Sequence, residues 1–219
     1  MILGKRSLTF VALFLSTTTT IMAAAMSPPL PARYANYMNR PLAELQGQLY
    51  QDINTSLIRW NNNKVIGDAN INITINALNQ LQTLEKAMDD RLDAIENDPN
   101  LTEQQKDTAA AAIVALQQRI EPLKTSLTNA RNNAGDIRTG ANRGITDTTL
   151  IQQRLATINP GLPAGQDTQI TYQAANDLDI QLSRCDQNSN SASTLQTNVT
   201  KLQNDLNQLR TQFTSLPNP

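Results

Sequence analysis

The chain has 219 residues, with 18 Lys and Arg against 19 Asp and Glu, no His and one Cys. Lack of His excludes Ser-His-Asp and Cys-His catalysis and every His-ligated haem, zinc or iron site. A single Cys excludes an intrachain disulfide and a thiolate metal cage, and a charge balance near zero argues against electrostatic nucleic-acid binding.

Only 39% of the residues are hydrophobic and 4% aromatic, while Asn, Gln, Ser and Thr together number 78. A core must therefore come from Leu, Ile, Val, Met and Ala. Few aromatics with much Leu, Gln and Asn point to long helices sharing narrow apolar seams. The same scarcity argues against a single-strand binder built on aromatic stacking.

The first segment reads as an address. Lys5 and Arg6 precede the apolar run Leu8 to Leu15, and Ala23-Ala24-Ala25 offers an A-x-A cleavage site. Residues 1–25 are expected to be a signal peptide. The alternative is a retained anchor, since Ser7 to Ser27 is uncharged and long enough to span a bilayer. Residues 26–41 hold four of the ten prolines and read as a poorly ordered leader.

A single helical domain is expected over 42–216. Leu42, Leu45, Leu49, Ile53, Leu57 and Trp60 recur at helical spacing, predicting a helix over about 42–62. Asn61-Asn62-Asn63 and Gly67 are expected to end it. A second helix, about 69–97, carries the seam Ile71, Ile75, Leu78, Leu81, Leu84, Met88, Leu92 and Ile95, and Asp98-Pro99 closes it. A third, about 102–133, opens on Thr102 with Gln105 three residues on, a capping-box pattern. Its seam, Ile113, Leu116, Ile120, Leu123, Leu127, Ala130 and Ala134, keeps a heptad phase across Pro122, which predicts a kink there. The short turn between these helices implies an antiparallel hairpin that sets Leu78 opposite Ile120 and Leu81 opposite Leu116.

Five glycines fall between 135 and 165, leaving room for one short helix at about 146–158. A last helix, about 168–216, is expected to run through 186–194 (DQNSNSAST), a poor helix former. The fold class is thus all-α: an elongated antiparallel bundle or coiled coil of four to five helices with a long C-terminal helix.

Three groups of residues invite a chemical reading. Glu85, Asp89, Asp93 and Glu96 make an acidic stripe with the clustered carboxylates that a hard cation favours, but without a ligand-bearing loop. A solvated helix face is the plainer reading. Arg131, Arg138, Arg143 and Arg154 surround Gly-Ala-Asn-Arg-Gly at 140–144, a loop whose backbone N–H groups could cradle an anion; it lacks the Lys-Ser/Thr of a nucleotide loop. Cys185 reads as a small packed hydrophobe, with an intermolecular disulfide as the alternative.

Leu101-Thr102-x-x-Gln105 resembles the LTxxQ motif of small periplasmic chaperones of the Spy and CpxP type, which are helical and exported. Those proteins usually carry the motif twice and are shorter, whereas this chain has it once, and a capping box gives the same letters. The overall texture is similar to that of minor pilus components of type IV secretion systems.

The expectation is an exported, periplasmic or secreted protein that is not an enzyme. No catalytic, cofactor or metal site is expected. It would present helical surface to protein partners, or to a second copy of itself, in a bacterial envelope or secretion assembly. No nucleic-acid binding and no stable membrane span after cleavage are expected. The alternatives are a membrane-active pore former or toxin component and a periplasmic chaperone-like protein.

Overall fold

The computed structural model describes residues 28–217. The expected signal peptide, residues 1–25, lies outside them. Four α-helices follow a short 3-10 helix at Ala32–Tyr37: α1 (Leu42–Glu96), α2 (Glu103–Gln117), α3 (Ile120–Leu155) and α4 (Gln166–Thr214). They pack as an all-α bundle of three rods. α1 forms the first, α2 and α3 in succession the second, and α4 the third. At about 1.5 Å per residue, the 55 residues of α1 span roughly 80 Å.

The second rod runs antiparallel to the other two, so α1 and α4 run parallel. Their register is constant along the molecule. Gln46 meets Thr171, Arg59 meets Asp186, Asn63 meets Ser189 and Arg91 reaches the Leu216 carbonyl, each partner lying 125 to 127 residues along.

Each end of the bundle is aliphatic. Leu81, Leu84, Met88, Ile113, Leu127 and Leu209 are buried near the α1–α2 turn, and Leu45, Leu49, Ile53, Leu155 and Leu178 at the opposite end. Between them polar and small residues enter the core beside Trp60, Ile137, Leu195 and Val199. Ser56, Asn63, Asn70, Thr74 and Thr148 are all buried, together with Ala134, Ala141, Cys185 and Ala192.

That middle layer explains where the helices depart from the sequence expectation. The helices expected at 42–62 and 69–97 are one, because the residues read as breakers are satisfied inside it. The Asn61 side chain donates to the Leu57 carbonyl at 2.9 Å and Asn70 to that of Ile66 at 2.9 Å. Gly67 faces the α3 backbone so closely that an added Cβ would lie 3.1 Å from the Ala134 carbonyl oxygen. Gly135, Gly140 and Gly144 likewise fall inside α3, which absorbs the short helix expected at 146–158 and ends at Leu155. A glycine within a helix costs about 1 kcal/mol relative to Ala. Here Gly144 lets the Trp60 indole pack on bare backbone, and Gly140 faces the Asn188 side chain. α4 is continuous through 186–194, where Ala192 is fully buried and Ser189 and Asn63 exchange hydrogen bonds at 3.0 and 3.1 Å.

The helix expected over 102–133 is instead divided at Gln118–Arg119. Both residues keep αR backbone angles, so the chain direction carries on, but α3 begins anew at Ile120. Pro122 is the cause: it has no N–H to donate back to the Gln118 carbonyl, and such a residue is tolerated in a first helical turn.

The hairpin register also differs. Gln117 Nε2 bonds Asp89 Oδ1 at 2.6 Å, whereas the expected alignment sets Ala109, eight residues earlier, opposite Asp89. Beyond the expected hairpin, Ser56 Oγ lies 3.4 Å from Thr148 Oγ1 and Gly144 faces Trp60. Upstream of Leu81 the buried positions are Asn70, Thr74 and Ala77; Ile71 and Leu78 are half-buried and Ile75 is exposed. With two neighbouring rods to cover, α1 turns small residues to the centre and sets larger aliphatics at the flanks.

The leader is ordered where described. Leu30 and Tyr34 are buried among Leu45, Leu49 and Leu178, and Tyr34 Oη donates to Asp52 Oδ2 at 2.9 Å. Burying one apolar and one aromatic side chain anchors a segment whose proline content alone suggested disorder.

Candidate functional site

The acidic stripe does not converge. Asp89 accepts from Gln117 Nε2 at 2.6 Å, Lys86 bonds Asp90 at 2.7 Å, and Asp93 and Glu96 are exposed. Among the described residues no group of three or more His, Cys, Asp or Glu side chains is placed to hold a metal ion.

Two of the four arginines around the glycines pair helices. Arg138 reaches Asp68 of α1 at 3.7 Å, Arg154 pairs with Asp177 of α4, and Arg143 lies 4.0 Å from Asp147 on its own helix. Arg131 is exposed. Residues 140–144 belong to a helix, so their N–H groups are committed to the backbone ladder and form no anion cradle.

Cys185 is fully buried beside Trp60 and Ala141, which fits its reading as a small packed hydrophobe. Burial pushes its thiol pKa up, so the group stays protonated and packs as a small hydrophobe. Thr102 and Gln105 form a reciprocal capping box on an exposed turn: the Thr102 N–H donates to Gln105 Oε1 at 2.9 Å and Gln105 N–H to Thr102 Oγ1 at 3.4 Å. Helix capping accounts for the LTxxQ letters.

The middle of the bundle holds two polar atoms that sequence reasoning missed. Trp60 Nε1 and Asn188 Oδ1 are buried without a hydrogen-bond partner. Both residues border one open groove of about 410 Å³, whose rim carries Arg143, Asp147 and Arg184. Leaving such a group unpaired typically costs about 1–3 kcal/mol. Both atoms are closed to solvent, so the groove offers a ligand its rim charges and not this donor and acceptor.

The surface feature that stands out is the outward face of α1. Between Asp52 and Glu85 the helix carries only Arg59, Lys64 and Asp68 as charges. Arg59 pairs with Asp186 and Asp68 with Arg138, both sideways across rod boundaries. Ile58 and Val65, seven residues apart and opposite the buried Ser56, Asn63 and Gly67, are 61% and 65% exposed. The result is a neutral face of Asn and Thr with two bare aliphatic side chains. Among the described residues no helix is long and apolar enough to cross a membrane. Comparison with protein-family models, with curated proteins and with solved structures finds no match.

Proposed function

We propose that the protein is an exported, non-catalytic scaffold that presents helical surface to another protein in a bacterial envelope or secretion assembly. The observation that carries this reading is the α1 face just described. An aliphatic side chain left in water on a helix already packed on its other side costs free energy that a partner can recover, at about 25 cal/mol per Å² of apolar area covered. Two of the three charges on this stretch, Arg59 and Asp68, are already paired, so Lys64 is the one charge left for a partner to accommodate. Long rods suit this role because they hold side chains in fixed register over tens of ångströms.

Two further observations support the non-catalytic part. Arg33, Arg59, Arg138, Arg154 and Arg184 are engaged with aspartates across element boundaries. The acidic residues of the stripe point to solvent or to neighbours on the bundle surface. Export rests on the N-terminal pattern of Lys5, Arg6, Leu8 to Leu15 and Ala23-x-Ala25.

The test is affinity capture of the tagged protein from the cells that make it, beside the variant Ile58→Asp/Val65→Asp. Both positions are exposed, so the variant is expected to melt within about 0.5 kcal/mol of the parent. A partner that the parent retains and the variant loses supports the reading. Equal retention by both chains would remove the α1 face from it.

A further inference from the structure

We propose that α2 is a hinged flap that swings off the end of the bundle about Gln118–Arg119 while α1, α3 and α4 stay packed. α2 is the least integrated of the four helices. Ile113 is its only buried residue, against eleven in α3. Its polar ties are exposed ones, Lys106 Nζ to the Glu96 carbonyl at 2.8 Å and Gln117 Nε2 to Asp89 at 2.6 Å.

Ile113 alone is fully inserted into the aliphatic end of the bundle, with Ala109 and Leu116 packed beside it. Along one edge of that contact Ala109 and Ala112 line an open groove of about 480 Å³ with Arg91, Ile95 and Leu216.

Both attachments of α2 can move. At its C-terminal end the ladder is interrupted: Pro122 lacks the N–H that would tie α3 back to Gln118, and the Leu123 N–H reaches the Arg119 carbonyl at 3.3 Å. At its N-terminal end residues 97–102 are non-helical. Six residues extended can span about 20 Å, enough for the start of α2 to lift away.

The rest of this end does not depend on α2. Arg91 bonds the carbonyls of Phe213, Leu216 and Pro217, and its guanidinium stacks over the Phe213 ring at 5.5 Å, tying α1 to α4 directly. Opening would therefore uncover apolar surface at one end of a rod that is otherwise closed.

Distances between spin labels test this on the full chain, with Cys185→Ala removing the native thiol. Labels at the exposed positions Gln80 and Asp107 report α1 against α2, and labels at Gln80 and Lys124 report α1 against α3. The first pair should show a closed distance and a second, longer population, and the control pair a single distance. Pro122→Ala, which restores the missing donor, should lower the longer population about fivefold, and Gln118→Gly should raise it about fivefold, the scale set by single-residue helix propensity. A single closed distance for the first pair, a longer population that ignores both substitutions, or a second population in the control pair would overturn the flap.

Discussion

The Trp60 indole packs directly on the backbone of Gly144, so closely that a methyl group there would overlap the ring. The contact sits midway along the bundle, where α1 and α3 approach with Cys185 and Ala141 beside them. Trp60 is 97% buried, and a glycine is what makes room for it. Gly144→Ala is therefore expected to destabilise the fold by about 1–3 kcal/mol, the usual cost of overpacking. Gly135, also inside α3, has nothing within 4 Å of an added Cβ. Gly135→Ala is expected to be neutral or to stabilise by up to about 1 kcal/mol. Thermal unfolding of the two variants side by side checks the contrast, and equal effects would contradict the Trp60 packing.

The hairpin register gives a second expectation. Ser56 and Thr148 touch across the core at 3.4 Å. With Cys185 replaced by Ala, Ser56→Cys/Thr148→Cys should cross-link within one chain on mild oxidation. Ser56→Cys/Asn142→Cys, six residues off this pairing, should not. A mobility shift under non-reducing electrophoresis reads both.

How far the fold could be read from the residues depended on which part of the rod they built. At the ends, where the core is aliphatic, helical spacing identified the buried side chains: Leu45, Leu49, Ile53, Leu81, Leu84, Met88 and Leu127 are all seam positions and all buried. In the middle, Asn61 to Gly67 and the glycines of 135–144 carried the composition of loops, and the intact helices there come from contacts between rods. Gly67 against Ala134 and Gly144 against Trp60 are long-range relationships with no local signature. The register failed for the same reason, since α1 buries Asn70 and Thr74 in preference to Ile71 and Ile75. The exposed Ile58 and Val65 had a sequence signal, two aliphatic residues off the core phase on a nearly uncharged stretch. The flanking rods had to be placed before that stretch could be seen as an outward face.

Alkaline pH probes the anchoring of the leader. Tyr34 is buried beside Asp52, and burial together with that carboxylate raises its pKa well above the ordinary value of about 10. The folded state thus holds the phenolic proton more tightly than the unfolded state. Stability from this group is fully present below about pH 10 and falls as pH rises beyond it. Tyr34→Phe should lose the hydrogen bond to Asp52, and its stability should fall less steeply above pH 10 than that of the parent. Denaturant midpoints at pH 8 and pH 11 for both chains measure the difference. Identical slopes would mean that Tyr34 is not held in the core.

The most direct test of the fold is residue-resolved amide exchange at Asn63–Gly67, Gly140–Gly144 and Asn188–Ala192. These segments combine weak helix formers with the polar middle of the bundle, and their helicity depends on the three rods being packed there. Protection within about tenfold of that at Leu81 and Leu84 is the expected result, since all would then open with the same cooperative unit. Exchange at the rate of an unstructured chain in any one of the three segments would contradict continuous rods and return that segment to the loop its composition suggests.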